Sequence, residues 1–492
     1  MRPLLNPYAP GRPRPSGALA STGEVQAPAW RPAVRTALAD HYLLALGLVL
    51  LGYGVMGRGF AYVGMPPVFL GEVLLGTGLL LWLNSRAVGR VLAMPAMQAL
   101  VLLLAWVAFR TIPNLGTYGI DAARDAMLAG YSAFAFVVAG LLVARPERLR
   151  DLARRYRTFV VVMVAVAWGL YLVFRQMPEV FPKWPWALNT RVIENKPGDL
   201  LVHFAGITAF LVLGFRRATP LVLVLLVAGV GVSMVGNRGG MLGYLLAMGV
   251  LALLKPREAR FGRLAYAGVL LVALALLADT THLRTNEGSR AIAVEQLWEN
   301  VKSVFGRSDA ETLNTTTEWR LEWWTKIAGY TFDGPYFWTG KGYGINLATD
   351  DGFRVDEHES LRSPHNAHLT MLARGGVPGL ALWLVVHACW LGTLFGGWAR
   401  ARRAGQARWM GVYALCAVYW VAAMVNGSFD VYLEGPMGGI WFWTVFGVGM
   451  AAVWIHRRHP DFWGAEDRAA LVAAPRPVLP VYGPRRVAPS IV

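Results

Sequence analysis

The sequence predicts an all-α polytopic membrane protein of about twelve transmembrane helices, and three observations predict it. Residues of the AVILMFWYC set make up 55% of the 492 residues, charged residues only 16%, and mean hydropathy is +0.41. Soluble domains carry about 25% charged residues. Apolar runs of roughly 17–22 residues recur along the chain, each long enough to cross a hydrocarbon core. Basic residues alternate in density between successive connectors, as expected of cytoplasmic and translocated loops. A soluble enzyme and a disordered scaffold are excluded.

Taken in order, the expected spans fall near 41–57, 66–84, 91–109, 124–144, 158–174, 200–215, 219–235, 239–254, 263–279, 376–397, 409–426 and 436–455. The second and sixth are interrupted by Gly, Pro or His. Residues 1–40 are Pro- and Arg-rich and lack a signal-peptide core, so they read as a disordered cytoplasmic tail. Residues 456–492 read as a second such tail. An even span count puts both termini on one side. That side, with its connectors, carries 29 of the 47 basic residues and eight carboxylates, so it is expected to be cytoplasmic. The net charge of +17 is thereby a topology signal, and nucleic acid is not an expected partner. Cys389 and Cys416 lie inside apolar runs, which fits neither a disulfide framework nor a thiolate metal site.

Between the ninth and tenth spans lies a long outer segment, residues 280–375, expected to be a periplasmic catalytic loop because long loops inside compact folds are usually functional. Thr315 and Glu318 have capping-box spacing, and Trp319, Trp323, Trp324 and Ile327 follow at helical intervals. Residues 291–305 form a second amphipathic candidate. Such helices are expected along the outer membrane–water boundary, where tryptophans are favoured.

Basic residues on the outer side break the charge rule, so each needs a reason. Arg58, Arg110, Arg124 and Arg175 read as snorkelling or headgroup-bound. Arg238 sits in Gly236-Asn237-Arg238-Gly239-Gly240 at the start of the eighth span, where glycines allow close approach and helix N–H groups favour an anion. A guanidinium there would add bidentate phosphate recognition, a structural ion pair being the other role open to it. Arg191, near Glu194, has an acidic neighbour that would neutralise it. The densest polar cluster is Arg362-Ser363-Pro364-His365-Asn366-Ala367-His368, with His365 and His368 three apart on an expected helix. The His-Glu-x-x-His of a metalloprotease is absent. A zinc site would need His358 as third ligand, with nothing to fix it nearby. The remaining roles are a histidine that merely satisfies its hydrogen bonds and a neutral imidazole acting as general base. Gly340-Lys341-Gly342-Tyr343-Gly344 lacks phosphate-loop spacing and reads as a turn.

Four stretches in order, Glu318-Trp319-Arg320-Leu321-Glu322-Trp323-Trp324, Gly340-Lys341-Gly342, Pro364-His365-Asn366-Ala367-His368 and Gly375-Gly376-Val377-Pro378-Gly379, carry a resemblance. Together they resemble the O-antigen ligase and polymerase superfamily, whose signature is an Arg-x-x-x-Trp helix, a Gly-x-Gly turn, a His-Asn pair and a Gly-x-x-Gly leading into a span. Asn237-Arg238-Gly239 is similar to the family's Ser-Arg element, with asparagine in place of serine. The resemblance implies a GT-C-like glycosyltransferase of the bacterial inner membrane, active at the periplasmic face. It would take a glycan from undecaprenyl diphosphate to a glycolipid or glycan acceptor, with O-antigen ligation to lipid A–core favoured over polymerisation of lipid-linked repeats. Carried over by position, Arg238 and Arg320 would bind the diphosphate, with Arg191 as a further candidate, and His365 would act on the acceptor hydroxyl. Asn366, His368 and Trp324 would support the site. No metal or other cofactor is implied, since guanidinium groups supply the cationic stabilisation that a leaving diphosphate needs. Single displacement would invert the anomeric centre.

Two other classes stay open on sequence. A transporter would concentrate polar residues at the midplane of broken helices. A peptidoglycan polymerase of related architecture would need placed acidic residues, and Asp430 and Glu434, in the last outer connector, read as surface groups.

Overall fold

The computed structural model describes residues 37–256, 311–354 and 361–464, together with Gly262. Within them the chain is a bundle of apolar helices, decorated by two short antiparallel hairpins at 64–69 and 183–191. In hydrocarbon every backbone polar group must be satisfied inside its own segment, which makes the helix the default for such sequences. Starts follow from local chemistry. Pro95, Pro197, Pro220 and Pro436 open their helices at a position whose N–H would have had no partner. Thr219, Asn237 and Asn366 cap theirs with a side-chain oxygen.

Six helices are long and apolar enough to cross a membrane: Leu38–Met56, Pro95–Tyr118, Glu147–Gln176, Ala367–Arg403, Ala407–Gly427 and Pro436–Arg458. The pair Ile120–Gly130 and Ala133–Ala144, bent by 43°, makes a seventh if counted as one span. Leu70–Leu83, Pro197–Val212, Pro220–Gly236 and Arg238–Leu254 are apolar but shorter. By this measure the described residues give six or seven full-length spans where the sequence led us to expect eleven; the ninth, 263–279, lies outside them. The chain is a multi-pass, all-α membrane protein.

Helix Arg238–Leu254 packs along Ala407–Gly427, Pro436–Arg458 along Ala133–Ala144, and Ala367–Arg403 along Pro95–Thr111. Buried Trp383, Trp390, Trp409 and Trp443 fill the spaces between them. A second, smaller core joins Trp323 and Ile327 to Leu347, Ala348, Leu372 and Ala373. The Trp-bearing helix Glu311–Ala328 therefore buries Trp323 and Ile327 against protein, with Trp323 Nε1 donating to Asp351 at 2.7 Å. It also runs through Thr315, so that residue is not its cap. Residues 291–305 and His358 lie outside the described residues.

The Gly-rich segment is a turn, as read. Gly340 has φ 58°, and a Cβ there would stand 2.5 Å from the Arg374 backbone. Its counterpart is Gly376 (φ 66°, ψ −171°), where Ala367–Arg403 kinks and where a Cβ would meet the Phe337 carbonyl at 2.6 Å. Only two residues without side chains let the turn seat on the kink. Lys341 is neutralised by Asp350 and Asp351, which removes it as a phosphate ligand. The turn is tied down further by Asp125, which accepts from Gly344 N at 3.1 Å and pairs with Arg362 and buried Arg374, each at 3.0 Å.

Candidate functional site

The site assembles around Phe429–Asp430, in the connector between helices Ala407–Gly427 and Pro436–Arg458. Three elements distant in sequence reach it.

The first is the start of Arg238–Leu254. Asn237 is its cap, with Oδ1 accepting from Gly240 N at 2.6 Å, the same service a serine would give at this position. The substitution of asparagine for serine thus keeps the local structure. Arg238 is the first helical residue, and Gly239 after it lies against the Phe429 ring, where a Cβ would come within 2.8 Å.

The second is helix Glu311–Ala328. Arg320 Nη1 donates to the Phe429 carbonyl at 3.0 Å, while its buried Nε has no partner among the described residues. Burial pushes the guanidinium pKa down and the Asp430 charge pulls it back up; an arginine starts so high that it stays charged. One turn on, Trp324 Nε1 donates to the Pro364 carbonyl at 2.9 Å, fixing the backbone just before His365.

The third is the segment 361–366. His365 is not on a helix, as its spacing from His368 had indicated. It precedes the helix Ala367–Arg403 in left-handed backbone (φ 53°), the only such non-glycine residue among those described. That conformation costs a residue with a Cβ on the order of 1–3 kcal/mol and persists only where the surroundings over-determine it. Here they do: Trp324 holds Pro364, and Asn366 is locked as the cap, accepting from His368 N at 3.0 Å and Leu369 N at 3.1 Å. The turn aims the imidazole inward, with Nδ1 3.5 Å from Asp430 Oδ1.

Asp430 is the residue sequence reading misjudged. It is buried, and the same Oδ1 accepts from Lys196 Nζ and from Val431 N, both at 2.8 Å. Burial alone would raise its pKa, but the hydrogen bond from His365 and the Lys196 ammonium outweigh that and hold the carboxyl well below the usual range. Burial likewise works against the Lys196 charge, and Asp430 with Asp199 more than restores it. Glu434 is not a surface group either. Its Oε1 accepts from Thr370 Oγ1 at 2.9 Å, and burial drives its pKa up against the hydrogen bonds of Ser363 and Thr370 and the Arg374 charge. A carboxylate in an eight-residue connector between two apolar helices was the available signal for Asp430. A lysine on the sparsely charged outer side was the signal for Lys196.

The other expected residues fall differently. His368 accepts from Trp383 Nε1 at Nδ1 and faces Ser428 Oγ at Nε2, each at 3.1 Å, so both nitrogens are used within the fold. Asn366 is a helix cap. Arg191, on the strand Ala187–Arg191, donates to the Phe181 carbonyl at 2.8 Å. Glu194, expected to neutralise Arg191, instead pairs with Arg58 at 3.2 Å. Arg110 donates to the Thr339 carbonyl and Arg124 pairs with Asp121, so neither is simply a snorkelling group.

Chemically, the arrangement offers cations of two kinds beside a half-buried imidazole. If Nδ1 carries the proton toward Asp430, Nε2 is left as an acceptor facing out of the cluster, the logic of a base oriented by a carboxylate.

A search among curated proteins finds no match for this chain. Residues 221–384 match the family described as O-antigen ligase. That stretch holds Arg238, Arg320, His365 and the Gly376 kink, while Lys196 and Asp430 lie beyond its two ends. Over that third of its length the chain is similar to the O-antigen ligase family, in agreement with the resemblance its motifs carry.

Proposed function

We propose that this protein transfers an oligo- or polysaccharide from undecaprenyl diphosphate to a glycan acceptor, most readily O-antigen to lipid A–core. The observation that carries the reading is the meeting of three elements at Phe429–Asp430: the Arg238 helix start, Arg320 and His365. An acceptor hydroxyl loses its proton to His365 Nε2 as its oxygen attacks the anomeric carbon. The bond from that carbon to the diphosphate breaks, and its electrons leave with the lipid diphosphate. Arg238 and Arg320 neutralise that anion, and the Nε of Arg320 has no partner among the described residues, so it is a donor left for that charge. Arg191, tied to the Phe181 carbonyl, is the least supported of the three proposed cations. Asp430 orients the imidazole and Lys196 keeps Asp430 anionic; both are positioning residues. One displacement inverts the anomeric centre, and the chemistry requires no metal. The site faces the periplasm of the inner membrane, with both termini cytoplasmic, about twelve crossings in a GT-C-like plan, and 280–375 as the outer catalytic segment.

Reconstituted protein incubated with labelled lipid-linked glycan tests the class of reaction. Label moving to lipid A–core marks a ligase. Label lengthening on the carrier lipid without that acceptor marks a polymerase, the runner-up. Label crossing the bilayer with its diphosphate linkage intact marks a transporter and ends the proposal.

A further inference from the structure

Away from the His365 cluster, five helices enclose a cavity of about 320 Å3. Its walls are mostly hydrocarbon, from Leu44 and Leu48 on the first helix through Leu152, Phe210 and Leu415 to Val448 on the last, with Thr158 and Thr444 set among them. The wall tyrosines offer no open polar group, because the Tyr156 and Tyr419 hydroxyls bond each other at 2.6 Å. A lining of this kind excludes water and suits a hydrocarbon chain. Helix direction separates it from the candidate site. Met56, which accepts from Glu194 N at 2.9 Å, is at the site end of its helix. Leu44 is twelve residues earlier, about 18 Å along the axis.

The cavity has a cationic edge. Arg155 is part of its lining. Asp40, one turn before Leu44, is drawn to Arg145 at 3.1 Å and Arg148 at 2.7 Å, and the Arg155 charge also bears on it. Arg150 stacks over Phe462 at 4.1 Å, beside the lining Trp463. Besides Asp40, Glu147 answers this group, 3.8 Å from Arg145. Asp461 lines a neighbouring pocket with Arg150, and four guanidinium groups against three carboxylates still leave a surplus of positive charge where the hydrocarbon wall ends.

We propose that the cavity holds one acyl chain of an anionic diacyl phospholipid whose phosphate rests on the Arg155 edge. The charge decides between lipid sources. A polyprenyl tail whose diphosphate sits at the far end of the bundle would fill the walls but leave these arginines without a counter-ion, whereas a phospholipid of the nearer leaflet answers both.

The test is native mass spectrometry of the full-length protein released from nanodiscs of equal phosphatidylglycerol and phosphatidylcholine. Wild type should retain phosphatidylglycerol in preference by about fivefold for each guanidinium engaged. Gly47 lines the cavity with nothing within 4 Å of an added Cβ, so Gly47→Phe starts its side chain in open space, puts a ring into the cavity and should abolish retention of both lipids. Arg155→Gln leaves the walls intact and should retain lipid but lose the preference. Wild type with bulk lipid composition, or Gly47→Phe with undiminished phosphatidylglycerol, would overturn the proposal. So would a polyprenyl diphosphate as the species that Gly47→Phe displaces.

Discussion

At the scale of single residues, His365 combines a disfavoured backbone with an orienting carboxylate. As general base it predicts that His365→Ala lowers turnover by roughly 10²–10⁴-fold with donor binding kept. His365→Gly should lose as much turnover without losing stability, because glycine adopts φ 53° freely. A His365→Gln enzyme with near-normal turnover would show that proton abstraction is not its task. Asp430→Asn keeps the shape of the Asp430 side chain but removes the anion that His365 and Lys196 face. It should cut kcat by about 10²-fold or more while leaving donor KM near wild type; a KM effect alone would reassign Asp430 to donor binding. Arg238→Lys keeps the charge but loses the planar fork, so it should still impair transfer. Arg238→Ala and Arg320→Ala should each cost on the order of 2–4 kcal/mol in the transition state. Arg110→Ala, whose guanidinium holds the Thr339 carbonyl, should be milder. Undiminished turnover by Arg238→Ala takes it out of the site.

At the scale of elements, the site depends on how helices begin and break. Asn366 is a cap, so Asn366→Ala should destabilise the protein by about 1 kcal/mol and disturb His365 through the backbone. Asn366→Ser, which keeps a capping oxygen, should recover both stability and turnover. Recovery of stability without turnover would instead give the asparagine amide a direct part in the chemistry. The helices themselves were legible from apolar runs, but their caps were not: Thr315, read as a cap, lies inside its helix, and Asn366, read as a site residue, is a cap. The kink at Gly376 was visible only as a glycine pair, since the reason for it, the Gly340 turn seated against it, comes from 36 residues earlier in the chain.

At the scale of the whole molecule, charge placement predicts orientation. In a background with Cys389 and Cys416 replaced, Glu322→Cys on the exposed face of Glu311–Ala328 should react with an impermeant thiol reagent in intact spheroplasts. Labelling only after lysis would reverse the topology. The four apolar helices of 14–17 residues are too short to be told by length as full crossings. Thickness mismatch, met by packing against longer neighbours, is what such helices would have to accommodate.

The sequence by itself determined the class of protein and its helical segments and singled out His365, Arg238 and Arg320 as candidates, because hydropathy, charge bias and local motifs act over a few residues each. Only the tertiary structure decided what surrounds them. Asp430 and Lys196 are 234 positions apart, and His365 and Asp430 are joined across the bundle, so no window of sequence contains either pair. Burial has the same character. Asp430 read as a surface aspartate because its neighbours in sequence form a connector, and it became a buried anion because its neighbours in space are a lysine and a histidine from other elements.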